Sequence, residues 1–320
     1  MNNEGLISII VPCYNSASLL SEALDSLINQ TYTNWECIII DDHSTDNSVE
    51  IAEAYRQRFP DKIRVYLNRG KGACSARNNG LRLSEGSYVK FLDSDDAIYD
   101  SDVLLKQKEF MEQGAFDIVY GEEWYYWNTF TSENYFKKRG APIPAGKSKS
   151  FYKNFPITSN FLINKKNLDG IRWNEGLSSS QEFFMLFQCF LSGLSFGYQN
   201  IPATKIRVHN SVHRISNQSR DKYALQSAEL VERMAEEIER LTEPSKDLQF
   251  EFKKFALIRR FHAFKAKNRE ASGRIQKIVK RQKYVPGNAL KFKVVSLLNS
   301  ISSMMGYAGY RFFTLGGRDF

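Results

Sequence analysis

Within its first hundred residues the chain shows four strand-like runs, each followed by a polar or helix-like segment, and this alternation limits the folds open to it. Ile7 to Val11 (ISIIV) is a short continuous apolar run, the pattern of a strand buried on both faces. Ser16 to Ile28 follows with Leu19, Leu20, Ala23, Leu24 and Leu27 at helical spacing. Trp35 to Ile40 (WECIII) predicts a second strand, and Ser48 to Phe59 a second helix capped by the acidic turn DDHSTD. Ile63 to Leu67, Ser75 to Leu83 and Tyr88 to Leu92 (YVKFL) predict strand, helix and strand again. Such repetition predicts an α/β fold, with a mostly parallel central sheet covered by helices on both faces.

From about residue 106 the rhythm changes. Asp117 to Tyr126, Phe161 to Asn164 and Phe196 to Ile201 predict strands, separated by a polar stretch from Ser132 to Ser150 and a helix from Gln181 to Leu191. Residues 1–215 are expected to form one domain in two halves, 1–105 and 106–215, and residues 216–320 a helical extension. In the extension, Ala224 to Leu241 places Leu230, Met234, Ile238 and Leu241 on one apolar face, and Pro244 ends the helix.

Charge also divides the chain unevenly, within the extension. Residues 244–320 hold 17 Lys and Arg against 4 Asp and Glu, whereas residues 1–243 hold 27 against 32. Between Lys253 and Lys293 the basic residues are interleaved with Phe255, Leu257, Ile258, Phe261 and Phe264, a pattern suited to an anionic membrane surface. Ala289 to Tyr307 predicts a second interfacial helix. No run reaches the roughly 18 apolar residues of a membrane span. The apolar start is short and follows Glu4 rather than a basic stretch, unlike a signal peptide. Cys13, Cys37, Cys74 and Cys189 form no C-x-x-C pair, so buried free thiols in a reducing compartment are expected. The expected location is cytoplasmic, peripheral on the inner face of a membrane.

The chemistry concentrates at strand ends. Asp93-Ser94-Asp95-Asp96 directly follows the fourth strand. Three carboxylates so close repel one another unless water or a cation compensates them. A hard divalent ion with oxygen ligands, Mg²⁺ or Mn²⁺, meets that need. The first strand ends in Pro12-Cys13-Tyr14-Asn15 and the second in Asp41-Asp42-His43-Ser44-Thr45-Asp46. An aromatic face beside a carboxylate suits a uracil-like base, and ligands of open α/β sheets bind beyond the carboxyl ends of the strands. Taken singly, Tyr14 also reads as a packing residue and Asp46 as a helix cap. GKGACS lacks the G-K-[ST] ending of a P-loop.

Together, ISIIVPCYN, WECIIIDDHSTDNS, NRGKGACSARNNGL and GSYVKFLDSDD resemble, in order and approximate spacing, the blocks of the family-2 glycosyltransferases with the GT-A fold. The resemblance extends over about residues 5 to 215. It implies a metal-dependent, inverting enzyme that moves a sugar from a nucleotide-sugar, a UDP-sugar by preference, to a glycan or lipid-linked acceptor in surface polysaccharide synthesis. Carried over by position, it makes residues 1–105 the nucleotide-binding half and 106–215 the acceptor half. Pro12, Tyr14 and Asp42 match the contacts to the donor base, and Gly70 to Arg77 the loop and helix that close on the nucleotide. Asp93 matches the ribose-side carboxylate and Asp95 the principal metal ligand. His209, in Arg207-Val208-His209, matches a residue that helps hold metal or diphosphate. Glu182 stands where the family has its catalytic base, but Gln181-Glu182 departs from the usual Glu-Asp pair.

The aromatic run Glu123-Trp124-Tyr125-Tyr126-Trp127 fits either sugar stacking or a half-buried strand. Two other classes compete. A nucleic-acid-binding protein would explain the basic extension but not the carboxylates of the first half, so no nucleic-acid partner is expected. A non-catalytic or nucleotidyl-transferring relative would keep the nucleotide site without the base.

Overall fold

The computed structural model describes residues 4–209 and 219–281. They fall into two compact units, Met1–Arg214 and Ile215–Phe320. In the first, β1 (Ile7–Cys13), α1 (Leu20–Ile28), β2 (Trp35–Asp41), α2 (Ser48–Arg58), β3 (Ile63–Leu67), α3 (Ala73–Leu83) and β4 (Tyr88–Phe91) realise the predicted alternation. They are followed by β5 (Ala97–Ile98), α4 (Val103–Gly114), β6 (Ile118–Trp127), β7 (Tyr135–Arg139), α5 (Ser148–Asn154), β8 (Leu162–Asn164), α6 (Gln181–Leu191) and β9 (Phe196–Val208).

The strands form one sheet in the order β3-β2-β1-β4-β8-β6-β9-β5, with β7 hydrogen-bonded to β6. β3, β2, β1 and β4 run parallel, β8 is antiparallel to both its neighbours, and β9 is parallel to β6. Every residue of β1 and β2 is buried, which is why these strands read as continuous apolar runs rather than alternations. The predicted strands and helices of this half differ from the observed ones only near their ends. Ser16 to Leu19 is a tight turn before α1, with the Leu19 and Leu20 amides donating to Ser16 O. α3 lies close on β1 at Gly80, where an added Cβ would stand 2.3 Å from Ile10 Cγ2. That contact sets the depth at which the helix, and Arg77 on it, can sit.

Beyond β4 the sequence was less informative. The polar stretch from Ser132 to Ser150 contains β7, whose Lys137, Lys138 and Arg139 give no apolar pattern because the strand lies at a sheet margin. β9 runs on to Val208, seven residues past the expected end. A register shift between Tyr120 and Glu123 lets it continue beside the second half of β6.

In the second unit α7 (Arg220–Glu239), α8 (Lys246–Lys265) and α9 (Arg269–Arg281) pack on one another. Ser219 Oγ and Ser245 Oγ accept from the Lys222 and Leu248 amides, capping α7 and α8. The Ser219 cap explains why α7 starts a turn before the predicted Ala224. The helix expected at Ala289 to Tyr307 lies outside the described residues.

Candidate active site

The carboxyl ends of β1 and β2 are tied together by side chains from their own loops. Asn15, in the left-handed region at φ 47°, donates its amide to Ser44 Oγ and accepts the Thr45 amide on Oδ1. Asp46 accepts from the Ala17 and Ser48 amides and from Ser48 Oγ. Pro12 is buried, whereas Tyr14 is 45% exposed at the mouth of this region.

Asp42 is buried and already employed. Its oxygens accept from Asn68 Nδ2 at 2.7 Å and from the Gly72 amide at 2.8 and 2.9 Å. It thereby holds the loop before α3, which Gly72 enters at φ 89°, a conformation favouring glycine. Gly70 lies on the same loop against Ser75, with a notional Cβ only 2.2 Å from Ser75 Oγ. Nothing in the motifs favours Asp41, yet its Oδ2 accepts from the Ser44 amide while its buried Oδ1 has no hydrogen-bond partner.

After β4 the acidic cluster splits into three differently placed carboxylates. Ligand oxygens of Asp93, Asp95 and Asp96 lie within 4.8 Å of one another. Asp96 is buried, accepting from Ser159 Oγ at 2.7 Å and from the Arg207 amide at 3.1 Å. Burial, with Asp95 and Asp93 beside it, holds its carboxyl well above the usual range. Asp93 accepts from Arg77 Nη2 at 2.7 Å. Asp95 is partly exposed and lies 3.0 Å, Oδ2 to Nε2, from His209. Two residues distant in sequence thus meet, because β9 carries His209 to the end of β4. A carboxylate oxygen beside an imidazole nitrogen, with two more carboxylates near, is a donor set that fits Mn²⁺ or Mg²⁺.

Arg77 connects this cluster to α6. The guanidinium is buried against the Trp173 ring, 4.4 Å from its centroid, and also donates to Gln181 Oε1 at 3.1 Å. Burial opposes its charge, but Asp93, with Glu182 and Cys74 adding to the effect, more than offsets burial and Arg77 stays protonated. Gln181 is therefore a neutral acceptor for a cation that already has its carboxylate. Glu182, partly buried in the first turn of α6, has its carboxyl pushed up by burial, with Asp93 and Glu123 adding to the effect and Arg77 opposing it.

Two further residues shape the site: Arg207, which the sequence marked only as part of the segment holding His209, and Ser159, which it did not mark at all. Arg207 donates from Nε to Asp95 O at 3.0 Å and pairs with Glu22 on α1 and with Asn128 O. Ser159 donates to Asp96 and accepts from the Asp93 amide at 3.1 Å. Only the fold brings these positions together. A separate basic pocket of about 930 Å³, including Arg82, Lys165, Lys166 and Arg172, lies toward the amino end of β4 and contains none of the candidate site residues. Burial pushes the Cys13, Cys74 and Cys189 thiols up to about 12, so they are inert near neutral pH. No helix among the described residues is long and apolar enough to cross a membrane.

An open sheet with a carboxylate cluster after β4 and a continuation through β8, β6 and β9 defines the GT-A class of glycosyltransferase folds. Staphylococcus aureus TarS 1-349 in complex with UDP-GlcNAc superposes with a TM-score of 0.58 at 18% identity, covering 87% of this chain and 92% of that one. The mannosyltransferase PcManGT from Pyrobaculum calidifontis, in complex with GDP-Man and Mn²⁺, gives 0.55 at 15% identity, covering 97% and 83%. The family described as Glycosyl transferase family 2 matches residues 8–172, and the chain belongs to it. A poly(ribitol-phosphate) beta-glucosyltransferase of Bacillus spizizenii is 39% identical over 119 residues, 36% of this chain and 19% of that protein. The matches span less than half the length of the curated relatives.

Proposed function

We propose that the protein is an inverting glycosyltransferase that takes a sugar from a UDP-sugar and places it on a glycan or lipid-linked glycan acceptor in surface polysaccharide synthesis. The observation that carries the reading is the convergence of Asp95 and His209 at one strand end, with Arg77 linking the neighbouring Asp93 to the helix that bears Glu182. Residues 1–105 would bind the nucleotide and residues 106–215 the acceptor. Tyr14 would stack on the base beside Pro12. Asp42 and Gly70 would hold the loop that closes over the nucleotide, and Asp93 would take the ribose. Asp95 and His209 would hold Mn²⁺ or Mg²⁺, which when bound offsets the charge of the diphosphate and stabilises it as a leaving group.

The chain's own part is positioning and proton transfer. The acceptor hydroxyl oxygen attacks the anomeric carbon as the bond to the diphosphate oxygen breaks, and the hydroxyl proton passes to the Glu182 carboxylate. A base whose pKa is raised by burial is better matched to that proton than an exposed carboxylate. Arg77 is engaged by Asp93 and Gln181, and among the described residues no cation is bound directly to Glu182.

The basic second unit supports attachment to an anionic membrane surface on the cytoplasmic side, where a lipid-linked acceptor would be presented. A non-catalytic or nucleotidyl-transferring relative is the competing reading. The two separate when purified protein is offered UDP-sugars and GDP-sugars with Mn²⁺ and a glycan acceptor mixture. The proposal expects acceptor-dependent release of UDP with retention of the sugar in the product. UDP binding without sugar transfer to any acceptor would favour the non-catalytic relative.

A further inference from the structure

β6 sends alternate side chains to opposite sides of the sheet, and at its carboxyl end the two sets have different fates. Trp124 and Tyr126 are packed into aromatic contacts with Tyr99 and Tyr135, at centroid distances of 5.1 Å for Tyr99–Trp124 and 5.7 Å for Tyr126–Tyr135. Glu123, Tyr125 and Trp127 occupy the other side, and Glu123 is near enough to Glu182 to help raise its pKa. Along that side cover is lost toward the strand end. Glu123 is buried, Tyr125 is partly buried with its hydroxyl donating to Glu123 at 2.8 Å, and Trp127 is 48% exposed.

Trp127 is held in place despite its exposure. Phe136 on β7, itself 37% exposed, stacks on it with centroids 4.9 Å apart and planes at 23°. Lys137 Nζ lies 4.3 Å from the Tyr125 centroid and 5.7 Å from that of Phe136. Lys138 and Arg139 pair with Glu122 and Glu123. Lys137 has no carboxylate within ion-pair distance among the described residues. Trp127 pairs in register with Val208, and the Asn128 amide donates to Val208 O at 3.0 Å. The patch therefore begins one residue from His209, across a single strand spacing of about 5 Å.

A rigid pair of exposed rings offers a flat apolar face to the C–H face of a sugar, and an ammonium beside it offers a counter-charge. We propose that Trp127, Phe136 and Lys137 form the acceptor subsite, and that the acceptor is an acidic saccharide whose phosphate or carboxylate is set against Lys137. This inference rests on the reading of Asp95, His209 and Glu182 given above. A neutral glycan would use the rings but leave the cation without a role.

Calorimetric titration of the full chain, with UDP and Mn²⁺ present, tests the assignment against maltotetraose, 6-phosphomaltotetraose and tetragalacturonate. At low salt at least one acidic tetrasaccharide is expected to bind about tenfold more tightly than maltotetraose, and which of the two does so identifies the anion. Lys137→Ala removes that preference and Lys137→Arg retains it. Trp127→Ala weakens all sugar binding, while UDP affinity and the melting temperature stay as in wild type. Equal binding of neutral and acidic sugars, a preference that survives Lys137→Ala, or failure of every tetrasaccharide to bind while UDP does, overturns the acidic-acceptor assignment. Failure of UDP itself to bind would instead overturn the donor-site reading beneath it.

Discussion

Arg77 shows how much one buried residue can organise. Its guanidinium touches Asp93, Gln181 and Trp173, and so joins the carboxylates after β4 to the start of α6. Gln181 departs from the acidic pair common in the family, and the structure supplies a physical reason: Asp93 already neutralises Arg77, so an amide oxygen suffices as the second acceptor. Glu182 is then the carboxylate left to accept a proton. Glu182→Gln is expected to lower kcat by about 10²–10⁴ with UDP affinity nearly unchanged, the usual scale for losing a general base. Because burial raises the Glu182 pKa above its ordinary 4.5, the acidic limb of the wild-type rate profile should lie above that value, with activity falling as pH drops through it. Steady-state rates from pH 5 to 8 check both, and near-normal turnover by the variant would assign the proton to another group. Single residues were only partly legible in sequence. The family resemblance placed Asp42, Asp95 and His209 as candidates, but it did not show that the Asp42 oxygens serve the loop while Asp41 keeps an unpartnered oxygen.

At the scale of elements, β4 carries an ionisable group with no part in the proposed chemistry. Lys90 is completely buried, donating to Gln107 Oε1 at 3.3 Å and to Asn160 O at 3.2 Å, and burial pushes its pKa down to about 7. The ordinary value is 10.5, so between these limits the unfolded chain binds more protons than the folded one. Stability from this group therefore rises with pH from about 7 to 10.5 and is lowest below about 7. Lys90→Met abolishes that dependence. Its own cost is about 1–3 kcal/mol for leaving Gln107 Oε1 without this donor; Asn160 O still accepts from Gln107 Nε2. Urea unfolding at pH 7 and 9.5 should show the wild type gaining on the variant at the higher pH, and a constant difference would mean that Lys90 stays charged. The strands of the parallel half were readable because burial on both faces leaves an uninterrupted apolar run. β7 and the second half of β9 were not, since a marginal hairpin strand is polar and a register shift breaks any period.

For the whole molecule, the basic stretch seen in sequence, residues 244–320, lies within the second compact unit, Ile215–Phe320. Lys277 and Lys280 are exposed on α9, while Ile275 and Ile278 are buried, so the basic side of that helix is available to an anionic surface. Each basic residue near such a surface contributes about 1 kcal/mol, so Lys277→Glu with Lys280→Glu should weaken co-sedimentation with phosphatidylserine vesicles by about tenfold or more. Wild-type binding should itself fall as salt rises, and indifference of the wild type to vesicles at low salt would remove the membrane from the account. The central claim is that the first unit binds a nucleoside diphosphate through a metal held by Asp95 and His209. Calorimetric titration of UDP into the full chain, with and without Mn²⁺, tests it most directly when repeated with Asp95→Asn. The account predicts that Mn²⁺ tightens UDP binding to the wild type and that Asp95→Asn loses this gain while melting at a similar temperature. UDP affinity that ignores Mn²⁺ in the wild type, or an undiminished Mn²⁺ effect in Asp95→Asn, would contradict it.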